Sequence, residues 1–227
     1  MDDLRERPAS GERQEEREER ASHLAFVAHE IRNPLSTALW SAELLARLSA
    51  EERGGPRGEK LARMSLRALG RLRRIVEDHL LAARLDAGGI PIEAEAIPAL
   101  DLVPSAASID ASSLEVTPAP GLTVVADPNL SRRVVEGVLL AAARGGVPVR
   151  VEISRAGPLA RFRVTGAPAG PGALDDPGRG HPGDARGAAL SLAVARRAVV
   201  LLGGALRVED GGWIVELPAA EPALPRR

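Results

Sequence analysis

The sequence of 227 residues contains neither cysteine nor tyrosine. Without cysteine, disulfides and thiolate-held zinc are excluded as sources of stability or chemistry. Aromatics make up 2% of the chain, so Phe26, Trp40, Phe162 and Trp213 can be weighed one by one. Lysine is almost missing, with Lys60 standing alone, and arginine carries the positive charge. The heavy use of Arg, Ala, Gly and Pro reads as a base-composition bias and assigns no function. No charge sign dominates: the formal net charge is -1, which argues against a general nucleic-acid or membrane binder. No apolar run is long enough to cross a bilayer, and the N-terminus is charged where a signal peptide would be apolar. A cytoplasmic protein with no membrane or nucleic-acid partner is therefore expected. The chain is long enough to bury a real core in one large domain or two small ones.

Residues 1–20 are rich in Glu and Arg and nearly free of apolar side chains. Such a segment is either a frayed polar arm or a solvated helix laced by i,i+4 charge pairs. From Ala21 a helical stripe follows: Leu24, Val27, Ala28, Ile31, Leu35, Ala38, Ala42 and Leu45 recur at spacings of three and four. Glu51–Gly58 reads as a loop around Gly54, Gly55 and Pro56. A second helical run from Leu61 to Leu85 stops at Asp86-Ala87-Gly88-Gly89. Two long helices with a short connection form an antiparallel hairpin with one apolar face uncovered. Pairing two hairpins about a twofold axis would cover that face in a four-helix bundle, so a homodimer is expected.

Beyond Gly89 the texture is mixed α/β. Residues 90–110 read as a proline-rich linker with at most a first strand. Strands are expected over 122–126, 147–154, 159–165, 205–209 and 213–217, and helices over 128–143 and 188–202. Asp127 is placed to cap the first of these helices, with Pro128 in its first turn. Residues 166–187 form a long Gly/Pro-rich loop. The division is thus a charged arm or helix extension (1–20), a helical domain (21–89), an α/β domain (90–220) and a tail (221–227).

The first helix carries the chemistry. At about 100° per residue, His29 lies roughly 140° from the apolar stripe, and Asn33, Ser36 and Trp40 share its outward line. A solvent-held imidazole is a nucleophile near neutral pH, and the neighbouring Glu30 carboxylate can fix its tautomer. Pro34 removes a backbone donor, so a local bend is expected. Phe26 and Trp40 flank His29 as exposed aromatics of the kind that anchor interfaces.

The string His29-Glu30-Ile31-Arg32-Asn33-Pro34-Leu35 resembles the phosphoacceptor box of two-component sensor histidine kinases, matching its H-E-x-x-N-P pattern without a gap. The run Arg71–Gly88 resembles that family's second dimerisation helix. The resemblance covers residues 20 to 90. It implies that His29 carries the phosphoryl group, that Glu30 is its acid/base partner and that Asn33 supports dephosphorylation of a response regulator. It also implies response-regulator receiver domains as partners. His23 and His79 do not match the acceptor position.

The second half resembles the family's ATP-binding α/β sandwich in its element order and departs from it at the functional positions. In that family two asparagines of a helix serve magnesium, an aspartate after a strand reads the adenine, and glycines admit the phosphates. Here those positions hold Gly137, Ala141, Gly166, Ala189 and Ser191. Alanine and glycine offer magnesium no side-chain ligand. Asp175, Asp176 and Asp184 in the long loop are the only acidic substitutes at hand. No cofactor, ATP included, is therefore expected to bind this chain, with magnesium supplied by the response regulator. The fold expected is a helical hairpin followed by a degenerate ATP-binding-type sandwich. The function expected is phosphoryl relay through His29, to and from regulator aspartates. An ATP-dependent histidine kinase with a divergent site and a non-catalytic pseudokinase scaffold are the alternatives.

Overall fold

The computed structural model describes residues 10–105, 109, 111–169, 174 and 188–221; the side chains of residues 10–26 and of His29 lie outside that description. By their internal packing the residues fall into two compact units, Met1–Arg74 and Ile75–Arg227, divided inside a helix.

The first unit is the helical hairpin. Helix α1 spans Ser10–Arg47 and runs on past Pro34, so the charged segment from Ser10 onward is helical. Its inward positions are Val27, Ile31, Pro34, Ala38, Ser41, Leu45 and Leu48, a strict alternation of fours and threes. This corrects the expected stripe by part of a turn: Ala28, Leu35 and Ala42 are exposed. Pro34 and Ser41 take inward places that a count of apolar residues omits, and the proline ring packs there as hydrocarbon. The Ser41 hydroxyl satisfies itself within the helix, donating to the carbonyls of Thr37 at 2.8 Å and Ala38 at 3.1 Å.

The connection, residues 48–55, lies three residues earlier than the expected loop over 51–58. A one-turn helix α2, Ala50–Arg53, begins at Ser49, whose hydroxyl and the Glu52 carboxylate cap each other's backbone N–H in a capping box. Helix α3, Pro56–Asp86, then starts at its proline. Gly58 permits this tight sequence, since a Cβ there would lie 2.1 Å from the Arg53 carbonyl oxygen. Within this unit the Ser65 hydroxyl of α3 donates to the Ala38 carbonyl of α1 at 3.3 Å, and Leu61 and Ala68 are buried.

The second unit begins with the last turns of α3, which end before Gly88 at φ +67°. Residues 90–110 are more structured than a linker. Strand β1, Glu95–Pro98, pairs antiparallel with β3, Thr123–Ala126, and a 3-10 turn over Ala99–Leu102 buries Ala99 and Leu102. A strand with no strong sequence signal, β2 (Leu114–Thr117), joins the main sheet. That sheet has the order β2-β4-β5-β7-β6, where β4 is Val149–Ala156, β5 Leu159–Thr165, β6 Ala205–Glu209 and β7 Gly212–Pro218. Only the β2–β4 pair is parallel.

Alternate residues of β4 and β5 (Val149, Val151, Ile153; Ala160, Phe162, Val164) point into the core beside Trp213, Val215 and Leu217 of β7. Phe162 and Trp213 are its largest side chains. Helices α4 (Pro128–Ala142) and α5 (Ala188–Leu201) contribute to the same core. The Asp127 carboxylate caps α4, accepting from the N–H groups of Asn129 and Leu130 at 2.9 Å each. The architecture is the expected one, a helical hairpin region followed by an α/β unit.

On the other side of the sheet Glu216, almost fully buried, is clamped between Arg161 at 2.8 Å and Arg207 at 2.5 Å. Hydrogen bonding from Arg207 is the main cause that holds the Glu216 carboxyl below the usual carboxylate range, with Arg161 adding to it against desolvation.

Candidate functional site: the histidine helix and the α4–α5 groove

His29 lies in the continuous backbone of α1, nineteen residues past its start at Ser10. Its imidazole and the Phe26 ring fall outside the described side chains. Around it, Glu30 is half-buried, while Arg32, Asn33, Ser36 and Thr37 are exposed. Trp40 is 55% exposed and shares the face of Asn33 two turns earlier. The Thr37 hydroxyl donates to the Asn33 carbonyl at 3.1 Å, so the backbone just past Pro34 is supported from within the helix. The outward line read from periodicity is thus a polar, solvent-facing strip closed by an aromatic.

The α/β unit treats the positions of the expected nucleotide groups in the opposite way. Gly137 on α4 is buried, and a Cβ there would stand 2.5 Å from the Ser191 carbonyl oxygen and 3.1 Å from the Ala195 Cβ of α5. Ala141, one turn on, keeps 2% of its surface. Gly166 follows β5 directly, and its Cβ would stand 2.4 Å from the Ala142 carbonyl oxygen, which already accepts from the Ala167 N–H at 2.7 Å. Ser191 is buried in α5 and Ala189 half-buried. Gly137, Ala141, Gly166 and Ala189 thus offer no polar side chain, the Ser191 hydroxyl is engaged elsewhere, and at Gly137 and Gly166 the backbone leaves no room for a larger residue. At these described positions the residues do not fit a magnesium–nucleotide group. Asp175, Asp176 and Asp184 lie outside the described residues. Among the described residues no cluster of three or more His, Cys, Asp or Glu side chains is arranged to hold a metal ion. No described helix is long and apolar enough to cross a membrane.

Residues 19–88 match the family model of the His Kinase A (phospho-acceptor) domain. The chain thus carries a His Kinase A domain and is similar to two-component sensor histidine kinases. It is 31% identical over 204 residues to the sensor protein CseC of Streptomyces avermitilis, covering 86% of this chain and 39% of that one. The Streptomyces coelicolor CseC is 31% identical over 210 residues, covering 86% and 38%. The chain thus spans about two fifths of the length of these relatives. Among solved structures it is similar to full-length ShkA in complex with AMPPNP, at 26% identity and a TM-score of 0.54, over 91% of this chain and 47% of that one. The Acinetobacter baumannii histidine kinase AdeS shares the fold at 15% identity and a TM-score of 0.51, covering 84% and 97%.

Sequence reasoning had not singled out Asp78. It is 2% exposed and accepts a hydrogen bond from the Ser191 hydroxyl at 2.5 Å. Its signal was legible as an acid on the inward face of an amphipathic helix, where an unpaired charge is costly.

Proposed function

We propose that this histidine-kinase-like chain works as a phosphorelay protein: His29 takes a phosphoryl group from the aspartate of one response regulator and passes it to another. In each transfer one P–O bond to a carboxylate breaks as a P–N bond to the imidazole forms, and the reverse step restores the aspartyl phosphate. The regulator supplies magnesium, so this chain contributes mainly position. Glu30 is proposed to orient the imidazole, and the exposed Asn33 to hold a water or phosphoryl oxygen during regulator dephosphorylation. The observation that supports the reading is the close approach of α4 to α5 at Gly137, which leaves no room there for a metal-binding side chain.

The partners proposed are a second copy and regulator receiver domains. Leu35 and Leu39 on α1 and Leu66 and Leu69 on α3 are exposed apolar side chains, proposed to be buried by a second hairpin. The polar strip ending at Trp40 is the proposed regulator surface.

A second reading, an ATP-dependent histidine kinase, draws support from the likeness to ShkA, whose structure contains AMPPNP. Two labelling reactions separate the readings. With radiolabelled ATP and magnesium alone, no label is expected on the protein; label on His29 would overturn the relay reading. With a labelled, phosphorylated regulator, label is expected on the wild type and is expected to be absent from His29→Gln. Failure of transfer across the regulators of the source genome would favour a non-catalytic scaffold.

A further inference from the structure

The final turns of α3, residues 75–86, belong to the α/β unit, and their inward face carries a charge that packing alone does not call for. Burial along this segment recurs at Ile75, Asp78, Ala82 and Leu85, the face of one helix. A carboxylate in such a row is tolerated only with partners of its own. Asp78 has them on both neighbouring helices. Its Oδ2 accepts from the Ser191 hydroxyl of α5 at 2.5 Å, and its Oδ1 lies 3.6 Å from Nη1 of Arg133 on α4. Arg133 also pairs with Glu77, and Arg197 of α5 reaches Asp86 at 3.0 Å. Leu81 packs against the main core.

Ser191 joins these contacts to the closed groove. Its carbonyl makes the close approach to Gly137 of α4, and its hydroxyl holds Asp78 of α3. A glycine at position 191 would keep the first contact and lose the second.

We propose that residues 75–86 are the resident ligand of the α4–α5 face, seated through Asp78 on Ser191 and Arg133. The inference rests on the reading that this face takes no nucleotide and deepens it. The face is occupied by the chain's own helix, with a negative charge at the centre that opposes any phosphate-bearing competitor.

Amide hydrogen exchange of the full chain tests the seat. In Asp78→Asn and in Ser191→Ala, which removes only a hydroxyl, exchange over residues 75–86 is expected to speed up by about tenfold or more. The double variant is expected to be no faster than the faster single, because both remove the same bond. Arg197→Ala, which breaks an exposed pair, is expected to change exchange by less than about twofold. Unchanged exchange in both single variants, effects that multiply in the double, or an Arg197→Ala effect as large as that of Asp78→Asn would overturn the proposal. Thermal shift of the wild type with magnesium-ATP separates the two readings. A shift would sink the nucleotide-free groove, while the seat would still stand or fall on the exchange data.

Discussion

Helices α1 and α4 receive opposite treatment from the fold. Between Arg32 and Trp40, α1 leaves Arg32, Asn33, Ser36, Thr37 and Trp40 in solvent. Between Val134 and Ala142, α4 buries every residue but Glu136, with the sheet, α5 and the end of α3 around it. The residues expected to be functional differ in kind as well: His29, Glu30 and Asn33 have polar side chains, whereas Gly137, Ala141 and Gly166 have none. Polar side chains stay on the open face of α1 past Ile31, and α4 is packed as an ordinary interior is packed.

The sharpest attempt to break this contrast is Gly137→Asn, which restores a family-type side chain where no space exists. It is expected to lower the stability of the chain by about 1–3 kcal/mol or more, read from the urea midpoint, without conferring an ATP-dependent thermal shift. An unchanged midpoint together with a nucleotide shift would mean that the groove opens readily.

Glu216→Gln probes the side of the sheet that the groove does not involve, and a loss of about 1–2 kcal/mol is expected. Because the Glu216 carboxyl is held below its ordinary range by Arg207 and Arg161, its contribution is full above the usual carboxylate value of about 4.3. That contribution fades as pH falls through the lowered folded-state value. The acid limb of the stability profile should therefore be shallower in the variant; identical limbs would show that the clamp does not couple to folding.

Trp40→Ala should have the smallest effect on folding, within about 0.5 kcal/mol, because over half of the ring is exposed. Its expected effect lies in weaker regulator binding, measured by titration calorimetry. Full affinity would remove Trp40 from the docking surface, and a large stability loss would make it a packing residue.

Where local chemistry is decisive, the sequence was readable. Strands β5 and β6 fall where the alternation and turn residues put them, and α4 starts at its Asp127 cap. Strand β2 escaped because Leu114-Glu115-Val116-Thr117 is short and half-buried, and its pairing partner, β4, lies more than thirty residues away. Helix α2 escaped because Gly54 and Gly55 masked the capping box at Ser49. In the site, the His29 motif and the empty family positions were legible as residue identities. The close approach at Gly137 and the bond from Asp78 to Ser191 depend on helices brought together only by the tertiary fold.

Gly58 gives the hairpin turn an angular role. With α2 ending at Arg53 and α3 passing within van der Waals reach of its last carbonyl, the azimuth of α3 is set at its first turn. A side chain at 58 would rotate or lift the helix, and every residue along its length would inherit the error. The exposed Leu66 and Leu69 would then turn with it. The orientation of these leucines is thus indexed by one missing methyl group at the bend.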